Sequence, residues 1–330
     1  MAKTALILSP DALSSTYAEP VLSRLKHEAG DVMVITPAEN WRESVDALAE
    51  TEVIFSGWGA PVMDEEFLGH VPKLQAIFYA GGSLRYFITP AVWARAIRVS
   101  TAQALNAIPV AEFTQSVIQL SLKRFWHYAQ VTRISQTFPA DRPMPGAYGS
   151  IVGLISYGTI ARRVRERLRS LDVQVVVFDP LISESEATNE GMRKVGLDEL
   201  FVVSDVVSLH TPHFQDTAGM IRGRHLDRLR PGSTFINTAR GEVVNEPEMV
   251  DVLRRRPDLV AVLDVTAPEP PAARSPLYTM ANVVLTPHIA GSVGRECVRM
   301  GLAMIEEYQR FTRGEPLQWE VTEARASQLA

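Results

Sequence analysis

Short apolar runs rich in β-branched residues alternate with helix-length segments along this chain, and few folds accommodate such a pattern. Strands are predicted at TALILS, VMVIT, EVIFS and QAIFY. After a loop rich in proline and glycine at 137–150, strands are predicted again at SIVGLIS, VQVVVFD, DVVSLH, STFINT, LVAVLDV and NVVLTPH. The alternation is typical of parallel sheets with helices on both faces. We therefore expect two α/β units, with long helices at 110–130 and 293–313.

Composition disfavours several classes of partner. The 330 residues carry a formal net charge of -5, so no basic patch predicts binding to nucleic acid or to an anionic membrane. No apolar run is long enough for a signal sequence or a membrane span. The single cysteine, Cys297, cannot form an internal disulfide or a cysteine-rich zinc site. We expect a cytoplasmic protein without a metal.

The stretch VGLISYGTIARRV has the character of a phosphate-binding turn between a strand and a helix. In such turns one glycine allows the tight bend, a second lets the backbone approach a pyrophosphate, and a third lets helix and strand pack closely. Here Ser156 stands at the first position, Gly158 at the second and Ala161 at the third. Serine is small and can bond locally, so we expect Ser156 to adopt a conformation that a non-glycine residue tolerates, in a turn that remains usable.

An acidic residue follows at the distance expected for a ribose contact. The next predicted strand ends at Asp179, which lies 21 residues after Gly158. A carboxylate there accepts hydrogen bonds from a ribose 2′-hydroxyl and repels a 2′-phosphate. The sequence therefore predicts NAD as the cofactor in preference to NADP.

Polar residues follow three later strands, at the strand ends where open α/β sheets bind ligands. They are Arg240 in INTARG, Asp264 and Glu269 in LDVTAPEP, and His288 in LTPHIAGS. Oxidation of a secondary alcohol needs a base for the hydroxyl proton, and histidine titrates near neutral pH. A carboxylate can orient that histidine, and an arginine can bind a substrate carboxylate through two hydrogen bonds.

These motifs, taken in order, resemble the D-isomer-specific 2-hydroxyacid dehydrogenase family. The resemblance is strongest between residues 110 and 292, through VAEF, VGLISYGTIARR, FDP, VSLHTP, INTARGEVVN, LDV, PEP and TPHIAGS. It implies that His288 is the acid/base, that Glu269 is its partner and that Arg240 anchors the substrate carboxylate. It also implies that Asp264 contacts the nicotinamide end of the cofactor. The other cofactor-binding residues implied are Gly158, Thr159, Ile160, Asp179, Thr211, Pro212, Thr238, Ala239, Gly291 and Ser292.

In the first unit, YAGGS matches the family loop whose backbone amides bind the substrate carboxylate, so Ala80, Gly81 and Gly82 are substrate-binding candidates. The family pattern further implies a Rossmann-type NAD-binding domain, residues 105–291, inserted in a flavodoxin-like substrate domain formed by 1–104 and 292–330. It also implies a homodimer. The segment PADRPMPGAYGS departs from the longer tryptophan-containing segment of many members.

The function predicted is hydride transfer between NAD and a small D-2-hydroxy or 2-oxo acid, of the glyoxylate/hydroxypyruvate or phosphoglycerate kind. The alternative is an NAD(H)-sensing binding protein similar to the corepressors that share this fold. The sequence motifs do not separate the two.

Overall fold

The computed structural model describes residues 3–326 as an α/β protein. Its strands are β1 (Thr4–Ile7), β2 (Val32–Ile35), β3 (Val53–Ser56), β4 (Ala76–Tyr79), β5 (Arg98–Thr101), β6 (Ile151–Ile155), β7 (Gln174–Phe178), β8 (Arg193–Lys194), β9 (Val206–Leu209), β10 (Thr234–Asn237), β11 (Val260–Leu263), β12 (Val283–Leu285) and β13 (Glu320–Val321). Its α-helices are α1 (Pro10–Thr16), α2 (Val21–Ala29), α3 (Val45–Leu48), α4 (Glu65–Gly69), α5 (Pro90–Ala94), α6 (Gln103–Leu122), α7 (Phe125–Ser135), α8 (Thr159–Leu168), α9 (Glu184–Asn189), α10 (Leu197–Val203), α11 (Gly223–Leu226), α12 (Glu246–Arg255), α13 (Arg295–Thr312) and α14 (Glu323–Ala326). Short 3₁₀ helices lie at Ala38–Ser44, Gln215–Thr217, Gly241–Val243 and Pro276–Tyr278.

The chain divides into two compact units. One combines the chain up to Ala107 with the segment from Ser292 onward, and the other runs from Ile108 to Gly291. We call them the discontinuous unit and the continuous unit. Every strand predicted from the sequence is present, and the predicted α/β fold class is confirmed.

The continuous unit is built on a parallel sheet ordered β12-β11-β10-β9-β6-β7-β8. The order reverses beside β6, the first strand of the sheet in sequence, as in Rossmann-type folds. Apolar residues fill both faces, with Ile155 and Leu209 in one core and Leu154 and Ile236 in the other. Strands covered on both faces read as continuous apolar runs, which explains why they stood out in the sequence.

The discontinuous unit has a six-stranded sheet ordered β13-β5-β4-β3-β1-β2. Its parallel strands follow the flavodoxin-like order, and β13 adds to β5 as an antiparallel edge. Helix α13 packs its apolar face, which includes Met304 and Tyr308, into the core of this unit. Sequence periodicity predicted this helix at 293–313, and the family pattern implied that it belongs to this unit.

The prediction of one long helix at 110–130 was wrong. Helix α6 ends at Leu122, and α7 begins at Phe125. Arg124 between them has a left-handed φ of 48° and donates to the carbonyl oxygen of Pro143 at 3.3 Å. Because no glycine or proline marks this break, the periodic pattern alone did not reveal it.

No helix within residues 3–326 is both long and apolar enough to cross a membrane.

Candidate functional site

The turn after β6 has the conformation of a glycine-rich phosphate-binding turn, although serine stands in place of the first glycine. Ser156 has a φ of 69°, in the small left-handed region that a residue with a side chain can adopt only at an energetic cost. Its amide donates to the carbonyl oxygen of Phe178 at 2.7 Å. Its hydroxyl lies 2.8 Å from the Thr211 hydroxyl, at the end of β9. Ser156 is thus bonded to the ends of both strands that flank β6.

Helix α8 begins directly after this turn and offers an anion site. Its N-cap, Gly158, provides no side-chain cap, and its first turn carries no acidic residue. The first amides of a helix have no partner within the helix and lie at the positive end of its dipole. Thr159 is exposed and Ile160 is half-buried. This end of α8 is therefore suited to the pyrophosphate of a dinucleotide.

Asp179 lies at the end of β7 and helps to fix the same turn. One carboxylate oxygen accepts from the Tyr157 amide at 2.7 Å, and the other accepts from the Leu181 amide at 2.7 Å. Each oxygen retains a further acceptor site, and the side chain is only half-buried. The carboxylate therefore fits ribose hydroxyls while it holds the turn.

The remaining cofactor candidates of the continuous unit lie at neighbouring strand ends. Thr211 and Pro212 follow β9, while Thr238 and Ala239 follow β10. The Thr238 hydroxyl lies 3.1 Å from the buried Thr114 hydroxyl of α6. Gly291 ends the continuous unit.

His210 is a buried polar residue beside this edge. Its Nε2 lies 3.0 Å from the Ser208 hydroxyl, and its Nδ1 has no hydrogen-bond partner within the described chain. Burial lowers the pKa of His210 to about 4, so the ring is neutral at physiological pH. A buried nitrogen without a partner next to Thr211 fits a site that gains a polar ligand, and the donor set as a whole fits NAD.

His288 and Glu269, which the strand-end argument singled out as a candidate acid/base pair, are hydrogen-bonded to each other. His288 Nδ1 lies 2.6 Å from Glu269 Oε1. About half of each side chain is exposed, at 49% and 42%. The two side chains are therefore in contact with each other, and both are accessible to a ligand.

Asp264 holds the loop that carries His288. Its carboxylate accepts from the Thr286 hydroxyl at 2.6 Å and from the amides of Ile289 and Ala290 at 2.8 and 2.9 Å. Its carbonyl oxygen accepts from the His288 amide at 3.0 Å. Asp264 is only 2% exposed. These bonds use most of its acceptor capacity within the protein, although one oxygen retains a site for a further donor.

Arg240 lies on the loop after β10, and its backbone is fixed by Asn237. The Asn237 side chain donates to the Arg240 carbonyl oxygen at 3.0 Å and accepts from the Ala239 amide at 3.0 Å. The Arg240 guanidinium donates to the Ala239 carbonyl oxygen at 2.6 Å. Asn237 was not singled out from the sequence, although an asparagine at the end of an apolar run is a signal that could have found it.

The Arg240 loop and the Glu269 loop approach each other closely. A Cβ added at Gly241 would lie 2.0 Å from the backbone carbonyl carbon of Thr266, so only glycine fits there. The Glu246 carboxylate accepts from the Ala267 amide at 3.3 Å, and burial raises the pKa of Glu246. Glu246 also was not singled out from the sequence. The loops that carry Arg240 and Glu269 are thus joined within one unit.

The substrate-binding candidates of the discontinuous unit follow β4. The Ala80 amide donates to the Ser56 carbonyl oxygen at 2.8 Å. The Thr101 hydroxyl lies 3.2 and 3.4 Å from the carbonyl oxygens of Gly81 and Gly82. With these carbonyl groups held, the turn has a fixed shape. Ser292, the last cofactor candidate, also lies in this unit, and its amide donates to Asn106 at 2.8 Å.

The arginines of α8 form ion pairs with neighbouring carboxylates. Arg162 lies 2.7 Å from Glu186, and Arg169 lies 2.9 Å from Glu190. Arg162 and Arg169 therefore lie on an exposed, ion-paired face of α8.

Comparisons with known proteins identify related sequences and structures. Residues 117–290 match the sequence model described as "D-isomer specific 2-hydroxyacid dehydrogenase, NAD binding domain". The chain is 31% identical over 258 residues to a D-3-phosphoglycerate dehydrogenase of Mycobacterium bovis, a match that covers 78% of this chain and 48% of that relative. It therefore spans about half the length of that protein. It is also 31% identical over 250 residues to the (S)-sulfolactate dehydrogenase of Chromohalobacter salexigens, across 75% of this chain and 81% of the relative.

A solved structure extends the likeness to nearly the whole chain. The D-mandelate dehydrogenase of Rhodotorula graminis matches with a TM-score of 0.78 at 20% identity, over 98% of each chain. At that identity the match shows a shared fold.

Proposed function

The chain belongs to the D-isomer specific 2-hydroxyacid dehydrogenase family and carries its NAD-binding domain, and we propose that it transfers hydride between NAD and a small D-2-hydroxy or 2-oxo acid. The observation that carries the proposal is the 2.6 Å contact between His288 and Glu269 at the strand ends of that domain. A sensing protein would not need this pair, and the relatives named above are dehydrogenases. The alternative of an NAD(H)-sensing binding protein is therefore not favoured.

His288 moves the proton in this proposal. Its Nδ1 is bonded to Glu269, which leaves Nε2 for the substrate oxygen at C2. In the oxidation direction Nε2 accepts the hydroxyl proton, and in reduction it returns a proton to the carbonyl oxygen. Glu269 fixes the ring orientation and balances the positive charge that develops on it. When bound, NAD supplies the hydride acceptor, and NADH supplies the donor.

Arg240 and the loop after β4 bind the acid in this proposal. Arg240 uses one N–H for the Ala239 carbonyl oxygen and keeps others for the substrate carboxylate. The amides of Ala80, Gly81 and Gly82 offer further donors to an anion. The end of α8, together with Asp179, Thr211, Pro212, Thr238, Ala239, Gly291 and Ser292, holds the dinucleotide.

We assign the discontinuous unit to the substrate and the continuous unit to the cofactor, with boundaries near residues 104 and 291. A cytoplasmic location is supported by the single cysteine, and a homodimer by the family pattern. The side chain of the acid is expected to be small, as in glyoxylate, hydroxypyruvate or a phosphoglycerate-like acid.

The experiment that tests the function is NADH-dependent reduction of a panel of 2-oxo acids by the wild type and by His288→Gln. The variant is expected to lower kcat by about 10²- to 10⁴-fold, since a positioned acid/base contributes roughly that much. Its affinity for NADH, measured by fluorescence titration, is expected to stay unchanged. His27→Gln on the exposed face of α2 is the matched control. Equal kcat in His288→Gln and wild type would rule out the assigned base.

A further inference from the structure

The turn after β4 presents backbone amides whose direction is fixed. The Thr101 hydroxyl lies 3.2 Å from the carbonyl oxygen of Gly81 and 3.4 Å from that of Gly82. In a planar trans peptide the carbonyl group and the following N–H group point in opposite directions. The N–H groups of Gly82 and Ser83 therefore point away from Thr101, and neither has an acceptor within residues 3–326. Successive free amides of this kind favour an anion.

The phenol ring of Tyr79 lies directly against this turn. A Cβ added at Gly81 would lie 2.6 Å from the Cζ atom and 2.8 Å from the hydroxyl oxygen of Tyr79. The ring therefore occupies the space that a side chain at position 81 would need. It also packs against Phe87, with the ring centroids 4.5 Å apart. These two contacts fix the Tyr79 hydroxyl beside Gly81.

The hydroxyl of Tyr79 lacks a hydrogen-bond partner within the described chain, although only 4% of the residue is exposed. Burial raises the pKa of Tyr79, so the hydroxyl stays protonated and can donate. A buried hydroxyl without a partner is unfavourable, and a ligand that accepts its proton removes that penalty. Among possible acceptors, a negatively charged oxygen forms the strongest hydrogen bond with such a donor.

We propose that Tyr79 is a further substrate-binding residue, and that its hydroxyl donates to the carboxylate of the acid at the turn after β4. The proposal rests on the proposed function, because that function places the carboxylate of the acid at this turn. A phenol adds a hydrogen bond to the anion without adding a charge. Tyr79 thus supports the binding of any 2-oxo acid, whatever its side chain.

The first experiment removes only the hydroxyl, in Tyr79→Phe. The KM for glyoxylate and for pyruvate, measured with NADH, is expected to rise by about tenfold or more, since a hydrogen bond to a charged group contributes at least that factor. The carboxylate does not react, so the bond is equally strong in the ground state and the transition state, and kcat is expected to stay unchanged. The NADH dissociation constant, from fluorescence titration, is also expected to stay unchanged.

Tyr17→Phe is the matched control. Tyr17 lies in the same unit, is fully buried, and its hydroxyl also lacks a partner within the described chain. Its ring packs against Phe55, with the ring centroids 6.3 Å apart. Both variants lose a buried hydroxyl that has no partner, so neither is expected to unfold at a lower temperature than the wild type. Only Tyr79→Phe is expected to raise KM, which a merely structural role would leave as it is.

Oxalate binding tests the same contact without turnover. Oxalate carries a carboxylate but offers no carbonyl group for reduction. Its dissociation constant from the protein saturated with NADH, measured by calorimetry, is expected to rise by about tenfold in Tyr79→Phe. It is expected to stay unchanged in Tyr17→Phe.

The outcomes separate the two claims. Equal KM values in the wild type and Tyr79→Phe, or equal rises in Tyr79→Phe and Tyr17→Phe, would overturn the Tyr79 assignment and leave the function standing. A wild type that reduces neither acid, with oxalate binding weakened only in Tyr79→Phe, would overturn the function and support the Tyr79 contact. A wild type that reduces neither acid, with oxalate binding absent or the same in all three proteins, would overturn both.

Discussion

At the scale of single residues, Ser156 shows how a departure from a motif can be accommodated. A left-handed φ costs a residue with a Cβ roughly 1–2 kcal/mol relative to glycine. The contact of its hydroxyl with the Thr211 hydroxyl and the hydrogen bond from its backbone amide to the Phe178 carbonyl oxygen offset part of that cost. The sequence identified the substitution, but the value of φ depends on the strands to either side.

Replacement of Ser156 separates backbone strain from the hydroxyl contact. Ser156→Ala keeps the strain and loses the contact, whereas Ser156→Gly loses both. The alanine variant is therefore expected to be less stable than the glycine variant, by about 1 kcal/mol in urea unfolding. Ser156→Gly is expected to bind NADH at least as tightly as the wild type. An alanine variant as stable as the glycine variant would show that a side chain at position 156 does not strain the backbone.

Asp179 holds the turn and is proposed to bind the ribose, and a conservative change distinguishes these two roles. Asp179→Asn keeps an oxygen that can accept from a turn amide but removes the charge. We expect the preference for NADH over NADPH, measured as a ratio of dissociation constants, to fall by about tenfold, since one charge-assisted hydrogen bond contributes roughly 1.4 kcal/mol. Glu186→Gln, an exposed ion-pair partner of Arg162, is the control. An unaltered ratio in Asp179→Asn would contradict the ribose assignment.

At the scale of elements, the strands were the easiest part of the fold to predict and the loops at their ends were the hardest. Buried parallel strands leave continuous apolar runs, whereas the break between α6 and α7 depends on bonds from Arg124 to residues far along the chain. The two-residue strands β8 and β13 are too short to leave a pattern. The loop after β12 is defined by the Asp264 carboxylate, which the sequence associated only with the cofactor.

Asp264→Asn tests whether this residue acts on the loop. An amide nitrogen cannot accept the hydrogen bond that the second carboxylate oxygen accepts from the Ala290 amide, so we expect residues 286–290 to loosen. Turnover of a 2-oxo acid is expected to fall at least tenfold, because a small displacement of the base is costly. The NADH dissociation constant is expected to stay constant while amide hydrogen exchange in the loop accelerates. Weaker NADH binding with unchanged exchange would instead favour direct contact with the cofactor.

At the scale of the whole molecule, the buried histidine makes folding stability depend on pH. The pKa of His210 is about 4 in the folded protein, below that of an exposed histidine, because burial disfavours the charged ring. The unfolded chain therefore binds a proton at a higher pH than the folded chain does. By linkage this contribution is present above about pH 6.5 and is lost as the pH falls toward 4.

His210→Asn is expected to flatten this dependence. Between pH 6.5 and pH 5 the free energy of unfolding of the wild type should fall by up to about 2 kcal/mol more than that of the variant. Urea unfolding at a series of pH values measures the difference. The comparison with the variant is needed because burial also lowers the pKa of His225, which adds a loss of the same sign. Parallel curves for the two proteins would show that His210 does not titrate in this way.

The sequence by itself determined the α/β class and ten of the eleven strands longer than two residues in the described chain, and it predicted the contact between His288 and Glu269. Buried strands need apolar runs, and proton transfer needs particular residue types at strand ends, so both can be recognised as local sequence patterns. Tertiary structure decided the conformations and contacts that these patterns do not encode. It set the left-handed turn at Ser156, the carboxylate of Asp264 beneath the His288 loop, and the approach of Gly241 to Thr266. Each of these features depends on segments that meet only after the sheet has formed.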